Sequence, residues 1–425
     1  MEYSIRKTDC GIVRCDAFGD TFKTNSIILN FFWPLDKKYA TKLALLCSVL
    51  RRGNTKYGEM DKISAELDKN YGASIEISST KSGDMQSLCV AAIYVDDRFA
   101  LDGEKISENI VDMLCSVIFS PILENGAFKA SFVTQEKQNL KDRILSLIND
   151  KQAYSLEKCK QTMFANEPYG TYELGDIDSL SDITPESLYA FYVELLNKAM
   201  LTVTYGGLKC DSDALLLPLM DKLCSDERIQ IATVCNNEVD TVKEITEPMN
   251  VAQSKLNLGF RFGENAQNDL FALKMFNVIY GASPTSKLFM NVRERLSLCY
   301  YCSCVVDSIK NVMFVYSGVE TSNAQIAKDE ILNQLSLMQK GEFTTEEFEN
   351  ARAYLIDSYV QAADSSYALA SLLVSAYIMG HNLTPDEQIQ KLMEVTPERV
   401  TKVASDVKLD TVYLLKGMGG ADSAE

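Results

Sequence analysis

Residues 183–207 read "ITPESLYAFYVELLNKAMLTVTYGG", and residues 395–420 read "VTPERVTKVASDVKLDTVYLLKGMGG". Each opens with a threonine before Pro-Glu. A threonine hydroxyl can accept one of the free N–H groups of a helix's first turn, and proline is tolerated there because its missing N–H would have had no partner. Each stretch then passes into an apolar strand that ends in or near Gly-Gly. Thr184 and Thr396 lie 396 − 184 = 212 residues apart.

Earlier landmarks repeat at a similar interval. Ser26 opens the apolar run "SIILNFFW" and Ser254 opens "SKLNLGFRF", 254 − 26 = 228 residues on. Tyr71 and Tyr300 each sit where a helix passes into a strand, 300 − 71 = 229 residues apart. In the first half, helices are expected over 38–52, 59–71, 101–118 and 126–148, with "SLCVAAIYV" as a further strand. In the second half, "NDLFALKMFNVIYG" reads as a helix and "SKLFMNVRERLSLCYYCSCVV" as helix into strand. "VMFVYSGVE" reads as a strand, and 323–339 and 344–362 as long helices. The expected fold is α+β, a tandem repeat of two homologous domains, each a mostly antiparallel sheet backed by helices. The boundaries are read as 1–225 and 248–425. The linker 226–247 is placed in the polar, acidic stretch "SDERIQIATVCNNEVDTVKEITEP", with Pro248 just before the next strand. The tail "GMGGADSAE" is expected to fray.

The 425 residues carry 42 − 59 = −17 formal charges. Such a field repels nucleic acid and anionic membrane and can draw in basic peptides, although ordinary acidic solubility explains it as well. The N-terminus lacks a basic-then-apolar signal, and no apolar run reaches the ~18 residues of a membrane span, so a cytoplasmic location is expected. The twelve cysteines, scattered through apolar segments, then read as buried free thiols in a reducing compartment. The single histidine, His381, excludes any site that needs two imidazoles.

One helix is chemically empty. "ALLCSVLRRGNTKYG", residues 44–58, has the apolar patterning of a buried active-site helix but no His, Asp or Glu. The stretches "EPYGTYELGDIDSLSDITPESLYAFY" (167–192) and "SKLFMNVRERLSLCYYCS" (286–303) give this emptiness a context. Together with the element order, they make the chain resemble the insulinase and pitrilysin family of zinc metallopeptidases, in its mitochondrial-processing-peptidase-like branch, over almost its whole length.

Active members of that family carry HxxEH on the first-half helix. Matching Gly53 and Thr55 to the Gly-Thr that follows the motif places Ala44, Cys47 and Ser48 at its two ligands and its catalytic glutamate. The family's third ligand is a glutamate on a later helix; "EKQNLKDRI" (136–144) matches that helix and puts Arg143 at the ligand position. A methyl, a thiol, a hydroxyl and a guanidinium do not make the three donors zinc needs, so no metal or other cofactor is expected. The resemblance further implies that Arg293 and Tyr300, seven residues apart in "VRERLSLCY", bind substrate peptide, because the family's second half supplies such a pair to the facing active site. The expected role is a non-catalytic subunit that binds peptide and supports proteolysis by a zinc-bearing homologue in a heterodimer. The alternative is a homodimeric clamp with no part in hydrolysis.

Other constellations are weaker. "CYYCSC" offers Cys299, Cys302 and Cys304 as a structural metal site or a redox pair, but strand alternation puts Cys302 and Cys304 on one face as core residues. His381 follows a glycine at an expected helix end, which predicts a cap. "GGLKCDSD" (206–213) and "GMGG" (417–420) lack the Lys-Ser/Thr of a phosphate loop.

Overall fold

The computed structural model describes residues 1–418. The expectations for the tail beyond Met418, including the end of "GMGG", lie outside the described residues. The chain forms two compact units, each discontinuous in sequence. Among the described residues, the first comprises 1–145, 171–232 and 361–385; the second comprises 146–170, 233–360 and 386–418.

The first unit is built on a six-stranded sheet in the order Glu2–Lys7, Val13–Phe18, Met200–Gly207, Thr24–Pro34, Met85–Val95, Ser74–Ser82. Its neighbours are antiparallel except Val13–Phe18 beside Met200–Gly207. The apolar run "SIILNFFW" becomes a central strand with both faces covered, which is why it shows no polar alternation. Ile27, Leu29, Phe31 and Trp33 enter one core with Leu43, Leu46 and Val49 of helix Lys37–Leu50. Ile28 packs with Ala370, and Phe32 with Val374, of helix Ser366–Ile378 on the opposite face.

The second unit has five strands in the order Lys243–Met249, Lys408–Gly417, Ser254–Arg261, Val312–Val319, Cys299–Asp307. Strands 243–249 and 408–417 run parallel and the other neighbours antiparallel. The strand order is that of the first sheet without its first edge strand. Helix Lys151–Met163 lies on strands 254–261 and 408–417, where Cys159, Met163, Phe164 and Tyr169 share a core with Phe314, Tyr413 and Leu415. Gly259 leaves room for it, since a Cβ there would stand 2.6 Å from the Met163 sulfur.

Each unit therefore includes a helix from the other half of the sequence, whereas the boundaries read from sequence are contiguous. Two further features depart from the reading. Part of the expected linker is a strand: Lys243–Met249 pairs along one side only, and an edge position tolerates Pro248 because its missing N–H breaks no ladder. Two cysteines expected to be free are joined, Cys10 to Cys224, with Cα atoms 5.1 Å apart. The antiparallel pairing of strands 2–7 and 13–18 sets the Cys10 turn that approaches the end of helix Ser212–Leu223, a contact between residues 214 positions apart that no local signal announces.

Candidate functional site

Helix Lys37–Leu50 starts at Asp36, whose carboxylate caps it by accepting from the Lys38 N–H at 2.7 Å. Ala44, Cys47 and Ser48 share one face of the helix by their three- and four-residue spacings, and all three are buried. Burial pushes the Cys47 thiol up to about 12; the charges of Arg51 and Arg143 act against the shift, and nearby Cys89 adds to it. Arg143, exposed on helix Ala130–Ser146, is therefore close enough for its charge to be felt at Cys47. The structure thus groups Ala44, Cys47 and Ser48 on one helix, with Arg143 on another. On the same helix Glu136 is held by Arg52, 3.4 Å away, and Arg52 also bonds Gln135 and lies over the Phe132 ring at 5.1 Å.

Zinc would need about three deprotonated donors and an open position. A thiol held neutral, a hydroxyl and a methyl beside two guanidinium groups do not fit it. Among the described residues, no group of three or more His, Cys, Asp or Glu could hold a metal ion.

The second unit assembles Arg293 and Tyr300 by two local irregularities. Residues Leu288–Arg295 form a π-helix, which ends with Leu296 N–H bonded to the Asn291 carbonyl and Leu298 N–H to that of Val292. Between them Ser297 adopts a left-handed conformation, φ +50°, and turns the chain into strand Cys299–Asp307. That strand begins with a β-bulge. Cys299 pairs with Val319 and Tyr301 with Gly318, so Tyr300 is the extra residue and projects outward, 61% exposed. Arg293 lies over the Phe289 ring at 4.6 Å and reaches Glu294 at 3.5 Å.

Arg293, Tyr300, Cys299 and Glu320 line one cavity of about 540 Å³ within this unit. Tyr300 donates to Glu320, and that carboxylate raises the phenol's pKa, keeping its proton in place. Each residue thus both faces a cavity and has a local acidic partner. Tyr301 turns the other way: its ring crosses Gly318, and burial holds its hydroxyl at a pKa of about 12. Glu320 and the bulge itself had no sequence signal, whereas Phe289 lies within the quoted 286–303 stretch.

Cys302 and Cys304 are both buried, and His381 ends helix 366–378, its N–H bonded to the Ala376 carbonyl at 3.0 Å beside Gly380 at φ +77°. A cavity of about 860 Å³ in the first unit has an acidic lining that includes Asp96, Asp97 and Asp112. Those carboxylates are engaged by Asn25 and Arg98, by Ser107, and by Lys56 and Tyr57 respectively. No helix among the described residues is long and apolar enough to cross a membrane.

Residues 182–355 match a family model described as the peptidase M16 inactive domain. The chain is 32% identical over 406 residues to a "probable inactive metalloprotease YmfF" of Bacillus subtilis, covering 95% of each chain. Among solved structures it is similar to a conserved protein of Enterococcus faecalis, with TM-score 0.88, 28% identity, and coverage of 98% of this chain and 100% of that one. It shares its fold with a peptidase M16 inactive domain from Pseudomonas fluorescens, with TM-score 0.81, 14% identity, and coverage of 98% and 99%.

Proposed function

The chain belongs to the insulinase and pitrilysin (M16) family of metallopeptidases, as a non-catalytic homologue without the HxxEH motif, and on that premise we propose that it binds peptide and supports hydrolysis by a zinc-bearing homologous partner. The supporting observation is the π-helix and bulge that bring Arg293 and Tyr300 to one cavity, while Ala44, Cys47, Ser48 and Arg143 do not supply the three donors that zinc needs. A guanidinium and a protonated phenol both donate hydrogen bonds. Their acceptors would be peptide carbonyls or the oxyanion that develops on a carbonyl under attack. The −17 charge favours basic peptides.

A second reading, a homodimeric clamp that holds peptide without hydrolysis, draws support from the acidic partners at Glu294 and Glu320. The test is cleavage of a basic peptide by a zinc-bearing homologue from the same genome, with and without this chain. Stimulation that Arg293→Ala removes supports the first reading. Binding without stimulation, by a homodimer, supports the second. Zinc-dependent, chelator-sensitive cleavage by the chain alone would overturn both.

A further inference from the structure

Helices Ile106–Phe119 and Ser212–Leu223 pack together in the first unit and turn matching faces to the cavity of about 860 Å³. Positions 108, 111, 112 and 115 line it from one helix, and 211, 214, 215 and 218 from the other. Both are the i, i+3, i+4, i+7 series of a single helix face. Along each face an acid comes first, Glu108 or Asp211, and apolar side chains follow, Val111 and Cys115 or Leu215 and Pro218. The sheet end forms another wall, where Asn25 donates to Asp96 at 2.8 Å and accepts the Leu208 N–H at 3.0 Å. Such a volume suits a small molecule.

The charges of this lining are unevenly committed. Its three cations are engaged: Arg98 meets Asp96 at 3.2 Å, Lys209 meets Glu2 at 2.7 Å, and Lys222 lies over the Phe119 ring at 5.2 Å. Its six carboxylates leave a balance of 3 − 6 = −3, and three of them are fixed through one oxygen. Asp97 Oδ1 accepts the Ser107 N–H and hydroxyl, Asp211 Oδ1 accepts the Ala214 N–H, and Asp112 Oδ2 accepts from Lys56 and Tyr57. Among the described residues the second oxygen of each has no hydrogen-bond partner. Asp97 and Asp211 already occupy first-turn N–H groups of the two helices, which opposes an anion at those ends.

A buried hydroxyl adds an independent observation. Tyr94 stands directly opposite Asn25 in the ladder and so shares its face of the sheet. Its side chain is 1% exposed, yet its hydroxyl makes no hydrogen bond of normal geometry. Asp96, Asp97, Ser107 and Cys210 all act on the ionisation of that hydroxyl, and all four line the cavity. A buried polar group without a partner is costly, and a donor entering from the cavity would satisfy it.

We propose that this cavity binds an aliphatic polyamine, with its ammonium groups at Asp97, Asp112 and Asp211 and its methylenes against the apolar side chains between them. Asp97 is fixed at Ser107, and Asp112 lies five residues further along the same helix, roughly 7 Å along its axis, a separation that two ammonium groups joined by four methylenes can span. Each ammonium donates to a carboxylate oxygen that the protein leaves without a partner, a charge-assisted bond. The ammonium at Asp97 also donates to the Tyr94 hydroxyl oxygen. This site is separate from the Arg293–Tyr300 cavity and does not rest on the function proposed above.

The test is isothermal titration calorimetry of the full-length protein with spermidine, which should give a saturable one-to-one isotherm. Asp97→Asn and Asp112→Asn should each weaken binding by about tenfold or more, the range for a hydrogen bond lost between charged groups. Propylamine, with one ammonium, should bind at least ~10-fold more weakly than spermidine on the same grounds. Glu346→Gln removes an exposed acid of the second unit and should change nothing. Tyr94→Phe should weaken binding about threefold while the melting temperature holds or rises, because the hydroxyl it removes has no partner in the free protein. A melting temperature that falls in Tyr94→Phe with binding intact assigns that hydroxyl to the fold and overturns its place in the site. Heat that never saturates, equal weakening by Glu346→Gln and Asp112→Asn, or tighter binding of tripolyphosphate than of spermidine would overturn the proposal. Thermal denaturation of each variant separates lost binding from lost folding.

Discussion

Tyr300 donates its phenolic hydrogen to Oε1 of Glu320 at 3.0 Å, from the one position of its strand that the ladder register skips. A paired Tyr300 would follow the pleat; as the extra residue it stands clear of the ladder, beside Arg293 in the same cavity. Removing the phenol in Tyr300→Phe should weaken binding of a labelled basic peptide by about tenfold, and Arg293→Ala by about 10–100-fold, the range for hydrogen bonds lost from neutral and charged donors. Fluorescence anisotropy measures this. Both side chains are at least 40% exposed, so the melting temperature should barely move.

A buried ion network anchors the "EPYG" turn in the second unit. Glu167 accepts from Arg261 at 2.8 Å and from Lys310 at 2.9 Å, Arg261 also meets Asp410 at 2.7 Å, and the Arg261 guanidinium lies over Phe164 at 4.7 Å. Arg261, Lys310 and Asp410 are all buried. Glu167→Gln removes the carboxylate that two buried cations share and should cost about 3 kcal/mol in urea unfolding, because breaking a buried ion pair costs more than the pair contributes.

Among the described residues Lys274 has only neutral hydrogen-bond partners, the Tyr359 hydroxyl at 2.6 Å and Gln388 at 3.4 Å, and burial pushes its pKa down to about 8. Below pH 8 both the folded and unfolded states carry the proton, and the fold bears the full cost of the buried charge. Between about 8 and 10.5 only the unfolded state binds it, so stability recovers as pH rises. Lys274→Met should therefore stabilise the protein by about 2 kcal/mol at neutral pH, with Tyr359 still bonded to Gln388 at 2.9 Å. That advantage should shrink as denaturation is repeated up to about pH 10.

The Cys10–Cys224 bond closes a loop of 214 residues in the unfolded chain. Cys10→Ser should lower stability by about 3–5 kcal/mol under non-reducing conditions. With dithiothreitol present the variant and the wild type should converge, as thermal denaturation would show.

Part of the architecture was legible because its signals are local or periodic. Both Thr-Pro-Glu stretches start a helix, with the Thr184 hydroxyl accepting the Ser187 N–H while Thr396 makes no such side-chain cap, and the unbroken apolar run from Ser26 forms one strand. The element exchange was not legible. Helix 366–378 is apolar enough to be read as buried, but nothing in its residues says that its Ala370 meets Ile28. The same holds for Cys10 and Cys224, and for the strand that replaced part of the linker, whose residues from Lys243 are polar and gain their ladder only from a partner 168 positions on (Lys243 to Thr411, 411 − 243).

Composition alone excluded a zinc site built on two imidazoles, since a chain with one histidine cannot supply two however it folds. Tertiary structure decided how Arg293, Cys299 and Tyr300 are displayed. A π-turn, a left-handed Ser297 and one unpaired residue in a ladder set their directions, and those depend on the register against strand 312–319 rather than on the identity of the residues themselves.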